Sequence, residues 1–426
     1  MTATEIPALQ PAEVDGLLAE LLMTPEGRRD PYGRYAQIQQ LAPVHASSLG
    51  FTVCSRYDDC QLVLRDPRLG KEGDRVERTM ATSREVAAAL AQLRGRPASM
   101  LMLNPPDHTR MRGLVSKAFT PRTVERLRPH IIRLLDDLLD SIDTAPGAAP
   151  TDVMTAVALP LPVTVIGEML GIPPADRPPF QSWVRSTTAL LELAPTVEEV
   201  LAAAEADRHM GAYFVELLAE RRRHPTADLL SGLLAVEDGG DTLSEGELIS
   251  TAILLFGAGF ETTSNLIGNG LLALLGHPDQ LHRLRGDRTL VRSAVEELLR
   301  FDSPVQLDGR TAFEDVEIAG WRVPAGAMVV TMLGAANRDP SHFPDPGRLD
   351  IGRQDGPPIS FGSGIHYCLG AALARLEGEI FFDRLLERFG TIELATDTVD
   401  YRSSLTLRGL AALPVRFAVA SRRATW

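Results

Sequence analysis

Apolar residues recur three to four positions apart over much of the chain, with charged residues filling the intervals. This spacing predicts helices over Val124–Ile142, Val197–Arg223, Leu243–Leu275, Leu290–Arg300 and Leu369–Phe389. Strand-like segments are short and fall in two places, Val44–Ser55 and the stretch beyond residue 305. In the latter, Asp315–Gly320 alternates and turns, Trp321–Gly326 follows, and Met328–Leu333 completes the run. No internal repeat or long Ser/Gly linker interrupts the pattern, and Pro-rich patches such as Ile172–Phe180 are too short to divide domains. The expectation is one large, mostly α domain with a small β part over 1–426, opening with a short flexible extension of about residues 1–25.

Composition narrows the class. The 426 residues are 44% apolar and 23% charged, the balance of an ordinary globular protein. Asp and Glu (56) outnumber Lys and Arg (43), and the net charge of −13 repels phosphate backbones, so no nucleic-acid partner is expected. Three cysteines, Cys54, Cys60 and Cys368, are too few for a disulfide framework and fit a reducing compartment. The N-terminus has no basic segment leading into an apolar core. The longest apolar stretch, Leu248–Phe260, stops at Glu261, short of the ~20 residues a membrane span needs. A cytoplasmic protein with no membrane contact is the expectation. One segment departs from the acidic average. Between Asn104 and Arg133, Arg110, Arg112, Lys117, Arg122, Arg126, Arg128 and Arg133 face only Asp107 and Glu125. Such a patch could guide an acidic partner or form a solvated helix face.

Candidate chemistry centres on Cys368 in Phe361-Gly362-Ser363-Gly364-Ile365-His366-Tyr367-Cys368-Leu369-Gly370, directly before a helical pattern. A cysteine there meets unpaired N–H groups and the positive end of the helix dipole, which favour thiolate. The flanking glycines allow the backbone to approach a flat ligand. No second thiol stands nearby, so zinc and dithiol chemistry are excluded, whereas a buried structural cysteine or a Cys–His nucleophile with His366 remains open.

The pattern Phe-Gly-x-Gly-x-His-x-Cys-x-Gly resembles the haem-binding loop of the cytochromes P450. The resemblance implies the P450 fold, with haem b (iron protoporphyrin IX) enclosed between a long central helix and the cysteine loop. Cys368 would then be the axial iron ligand, Phe361 would pack near the sulfur, His366 would meet a propionate, and Gly362 and Gly370 would shape the loop. Three further stretches are similar to family motifs in the family's order. Ala258-Gly259-Phe260-Glu261-Thr262 matches the distal motif: a glycine that lets the helix widen, Thr262 as oxygen-binding hydroxyl and Glu261 as proton relay. Read alone, Thr262 would bond its own helix carbonyl. Glu297-Leu298-Leu299-Arg300 resembles the E-x-x-R motif, whose ionic network takes a later arginine, here Arg348 of Pro346-Gly347-Arg348-Leu349. On the helical wheel alone, Glu297 and Arg300 lie opposite the apolar face and read as surface charges. Asn104-Pro105-Pro106-Asp107-His108-Thr109-Arg110-Met111-Arg112 resembles a bacterial P450 stretch that supplies His108 and Arg112 to the propionates, with Arg310 as the third base.

The family's substrate contacts would fall here on Met100, Leu101, Leu103, Leu255, Phe256, Ala258, Val305, Leu307, Leu405 and Thr406. This mostly aliphatic set implies a sizeable apolar substrate: a polyketide or macrolide, a terpenoid or a steroid. The resemblance implies a monooxygenase using O2, with electrons from a separate ferredoxin and ferredoxin reductase docking near the Arg110–Arg128 stretch. The alternatives are a peroxide-driven peroxygenase, or a non-catalytic haem scaffold holding a carrier-tethered intermediate.

Overall fold

The computed structural model describes residues 10–72, 83–94, 97–237 and 240–419. The principal helices are α1 (Gln10–Met23), α2 (Tyr57–Arg65), α3 (Asp107–Ala118), α4 (Arg128–Asp140), α5 (Pro160–Met169), α6 (Pro178–Thr188), α7 (Val197–Arg223), α8 (Glu245–Leu275), α9 (Val291–Phe301) and α10 (Ala371–Arg388). The predicted 124–142 helix is divided. Pro121–Glu125 forms a separate short helix, and α4 begins at Arg128 with Pro129 in its first turn.

Helix α8 organises the rest. Its start is set by a capping box in which Ser244 accepts from the Glu247 N–H and the Glu247 carboxylate accepts from the Ser244 N–H. At 1.5 Å per residue it runs roughly 46 Å, long enough to serve two cores. Its first half (Leu248, Ala252, Phe256, Phe260) packs against Phe180 and Val184 of α6 and Met210 and Phe214 of α7. Its second half (Leu266, Ile267, Leu271, Leu274) packs against Ile131 and Leu135 of α4, Val295 and Leu298 of α9, and Phe381 and Phe382 of α10. The site lies along the seam between these cores.

The strands are β1 (Val44–Ala46), β2 (Phe51–Cys54), β3 (Leu69–Gly70), β4 (Thr151–Asp152), β5 (Leu307–Ala312), β6 (Val316–Ile318), β7 (Trp321–Val323), β8 (Met328–Met332), β9 (Phe389–Leu394) and β10 (Pro414–Val419). One sheet has the order β1-β2-β8-β5-β3, with β2 and β8 parallel and the other pairs antiparallel. β6 and β7 form a hairpin. In the third sheet, β4-β10-β9, the strands β9 and β10 fall in the stretch beyond residue 305, and only β4 lies outside the two expected strand regions.

The N-terminal expectation is corrected from Gln10 onward. Helix α1 buries Val14, Leu18 and Leu21 against Phe51, Val53 and Val330, and Asp15 accepts from the Ser47 hydroxyl and the Ser48 N–H. Residues 10–23 are therefore part of the folded body, and residues 1–9 lie outside the described region.

Candidate active site

Helix α10 starts immediately after Gly370, which leaves the turn carrying Cys368 at its N-terminus. The loop closes on itself: the Cys368 N–H donates to the Phe361 carbonyl at 3.0 Å, and the Gly362 N–H to the Ile359 carbonyl at 2.8 Å. Gly364 has a φ of +70°, and a Cβ there would overlap the Leu64 carbonyl at the end of α2. Only glycine permits that approach. Arg65 then donates to the Ser363 hydroxyl at 2.7 Å, and Arg112 to the Tyr367 carbonyl at 2.6 Å, so α2 and α3 both hold the loop. Cys368 is half-buried, and Cys54 and Cys60 are free thiols in the core. Burial raises the Cys368 thiol above its ordinary value, while the Gly370 N–H and the Arg112 and Arg375 charges pull it down. The helix terminus alone therefore does not produce the expected thiolate. A coordinated metal ion would, because it deprotonates a ligating thiol outright.

Beside this loop lies a set of buried side-chain nitrogens with no hydrogen-bond partner among the described residues. Both ring nitrogens of His108, Nε2 of His366 and Nη2 of Arg310 have none, and the two imidazoles are 4.3 Å apart. Burial lowers both histidines, His366 to about 3, with Arg310 contributing to each. Orphaned donors clustered this way are costly unless an anion satisfies them. The residues present thus fit a cofactor with a thiolate-binding metal and acidic side arms. Two members of the cluster carry no sequence signal. The Lys71 ammonium pairs with Asp308 at 2.6 Å, and Asp308 also accepts from Arg310 at 2.8 Å.

On α8, Thr262 and Glu261 occupy different environments. The Thr262 hydroxyl donates to the Ala258 carbonyl at 3.0 Å, and the helix is continuous through Gly257 and Gly259. The expected widening at the glycine is absent. Gly259 instead admits α5, since an added Cβ would lie 3.1 Å from Ile166 Cγ1. Glu261 is 4% exposed and accepts from the Thr188 hydroxyl at 3.0 Å and from Arg402 at 3.1 Å. Burial raises its carboxyl above the usual range, opposed by Arg402 and Thr188. Arg402 belongs to the C-terminal turn, which a second carboxylate also holds. Glu192 accepts from the Ser404 hydroxyl and from the N–H groups of Leu405 (3.3 Å) and Thr406 (3.1 Å).

The ionic network behind the loop is formed, with one member reassigned. Arg300 engages Glu297 through Nε (2.7 Å) and Nη2 (2.8 Å), and both side chains are 1% exposed. The third member is Arg353, whose Nε reaches Glu297 at 3.2 Å. Arg348 points outward to Asp350 and contributes only its carbonyl, which accepts from Arg300. The chain turns at Asp345 and again before Arg353, and this brings the later guanidinium inward.

The apolar candidates separate. Met100, Leu103 and Leu255 line the core around α6 and α7, and Leu101 is half-buried. Phe256 is corrected to core: it is 0% exposed, 4.7 Å from Phe180 and 5.7 Å from Phe260. Leu307 and Leu405 likewise pack with Leu18 and Leu21 of α1. Val305 is half-buried, and the Thr406 hydroxyl donates to the Leu191 carbonyl. Among the described residues no helix is long and apolar enough to cross a membrane.

A family profile described as Cytochrome P450 matches residues 63–415. The chain is 43% identical over 402 residues to Cytochrome P450 107B1 of Saccharopolyspora erythraea, covering 91% of this chain and 95% of that one. It is 40% identical over 416 residues to the polyketide biosynthesis cytochrome P450 PksS of Bacillus subtilis, covering 93% and 99%. The solved structure of P450BioI with an acyl carrier protein bearing hexadec-9Z-enoic acid superposes with a TM-score of 0.84 at 37% identity, covering 92% of this chain and 99% of that one.

Proposed function

The chain belongs to the cytochrome P450 family of haem-dependent monooxygenases, and on that premise we propose that it inserts one oxygen atom from O2 into a largely apolar substrate of polyketide or macrolide type. A thiolate-ligated haem supplies the O2 chemistry when bound. The observation that carries the reading is the pairing of a single loop cysteine with orphaned donors on His108, His366 and Arg310. Haem b fits this set, with Cys368 toward the iron, and with His108, Arg112, Arg310 and His366 toward the propionates. Phe361, Gly362 and Gly370 would shape the loop on the sulfur side and Ala258 would lie on the distal side, whereas Gly259 packs against Ile166 of α5.

Glu261 is suited to hold and pass a proton: burial raises its carboxyl above the usual range, and Thr188 and Arg402 fix its position. Thr262 lies next to it on the same helix and releases its hydroxyl only by breaking the bond to Ala258. This relay supports the O2 route over peroxide. Met100, Leu101, Leu103, Leu255, Val305 and Thr406 remain the proposed substrate contacts. The polyketide class is supported by the name of PksS, and a long acyl substrate by the ligand of P450BioI. Terpenoids and steroids are the comparison classes in a ligand screen.

Electrons would come from a ferredoxin and its reductase. In the basic stretch, Arg110 pairs with Asp241 and Glu247, and Arg128 with Glu125 and Glu379, so exposed Arg122 and Arg126 are the better docking charges. Charge reversal there should slow ferredoxin-driven turnover and flatten its salt dependence; unchanged kinetics would remove the ferredoxin assignment. The central test is spectroscopic. Reduced protein with carbon monoxide should show a thiolate-type band that Cys368→Ser abolishes, and polyketide-type ligands should shift the Soret band as water leaves the iron. Absence of stoichiometric iron in carefully reconstituted protein would refute the reading.

A further inference from the structure

Arg375, on α10 beyond the cysteine, has contacts that reach both Phe361 and Tyr367 of the loop. Its guanidinium lies over the Phe361 ring, with Cζ 4.4 Å from the centroid, and its Nη1 donates to the Tyr367 hydroxyl at 3.1 Å. Phe361 and Tyr367 bracket the loop that the Cys368 N–H closes onto the Phe361 carbonyl. The other edge of the guanidinium is anchored to α9: Nε bonds one oxygen of Glu296, and Nη2 the second at 3.2 Å. Burial, the largest single influence on Arg375, disfavours its charge, yet Glu296 and Tyr367 together hold it above its ordinary value. The side chain is thus a fixed cation, and its charge is one of those that pull the Cys368 thiol down.

We propose that Arg375 is a positioning residue that sets the reduction potential of the iron bound at Cys368, with Glu296 as its counter-charge. This rests on the family reading above. The planar fork stacks on Phe361 and grips Tyr367 simultaneously, a geometry that lysine cannot reproduce. One-electron reduction of the iron by an external one-electron donor adds a negative charge to the site. A fixed cation nearby stabilises the reduced form and raises the potential; removing it lowers the potential. Removing the Glu296 charge, which partly neutralises the cation, acts in the opposite direction.

The test is a spectroelectrochemical titration of haem-loaded wild type, Arg375→Gln, Arg375→Lys and Glu296→Gln, with dithionite and mediators and no protein partner. Arg375→Gln is expected to lower the reduction equilibrium constant about tenfold, which is ~59 mV for one electron. Glu296→Gln should raise it, and Arg375→Lys should fall between wild type and Arg375→Gln. In Arg375→Gln the thiolate-type carbon monoxide band should also lose intensity, because the loop is released from one side. If Arg375→Gln fails to load haem, the Glu296→Gln shift decides. Unchanged potentials in a protein with a normal thiolate band would overturn the proposal and leave the family reading intact. Lack of that band in wild type would refute the family reading instead.

Discussion

Replacement of Arg353 by Ala should destabilise the protein substantially, whereas Arg348→Ala should be nearly silent. Arg353 reaches Glu297 at 3.2 Å and Asp355 at 2.7 Å, and donates to the carbonyls of Pro344 (2.8 Å) and Arg348 (3.1 Å). Breaking a buried ion pair costs roughly 3–5 kcal/mol because it strands the partner. Here Glu297 keeps both bonds from Arg300 and the Asp350 N–H at 2.9 Å, so the lower end, about 3 kcal/mol, applies. Arg348 is 67% exposed on its side chain, and its single 3.2 Å pair with Asp350 is a surface contact worth under about 0.5 kcal/mol. At about 2.1 cal/mol/K per residue, the unfolding entropy of the whole chain is ~0.9 kcal/mol/K, so Arg353→Ala should lower Tm by ~3 °C and Arg348→Ala by under ~1 °C. Thermal and urea unfolding followed by circular dichroism would measure both variants in parallel. Equal losses, or a larger loss for Arg348→Ala, would refute the reassignment.

Three further outcomes follow from side chains already placed. Glu377 is fully enclosed, and burial alone pushes its carboxyl up to about 8. Its neutral form therefore stabilises the fold below the unfolded value near 4.5, and that contribution is lost as pH rises through about 8, on the order of 5 kcal/mol in all. Urea titrations from pH 6 to 9 should show wild type losing stability relative to Glu377→Gln; parallel curves would count against this. Thr262→Ala and Glu261→Gln should each reduce product formed per O2 consumed, with kcat down about 10²-fold for the stronger effect and substrate binding near wild type. Unaffected turnover in both would point to the non-catalytic scaffold. Glu192→Ala removes the acceptor of three donors from the C-terminal turn. Amide exchange in residues 186–196 and 403–407 should accelerate about tenfold, equivalent to ~1.4 kcal/mol, and unchanged exchange would show that the turn is held by other contacts.

Helical periodicity alone placed α7, α8, α9 and α10 within a few residues, because each repeats its apolar face over several turns. The cysteine loop was equally legible, since its constraints are local: three glycines, a cysteine and a helix start lie within the ten consecutive positions 362–371. What lay beyond the sequence pattern was every decision made by distant partners. The same spacing that reads Glu297 and Arg300 as surface charges is compatible with their burial, and the fold buries them because Asn337, Pro346 and Arg348 present carbonyls to Arg300. Arg353 replaces Arg348, and Phe256, Leu307 and Leu405 become core, for the same reason. Lys71, Asp308, Arg375 and Arg402 gain their roles only when separate elements meet. A side chain's position along its own element follows from local geometry, but whether it meets solvent, carbonyl or carboxylate is settled by which surfaces close over it.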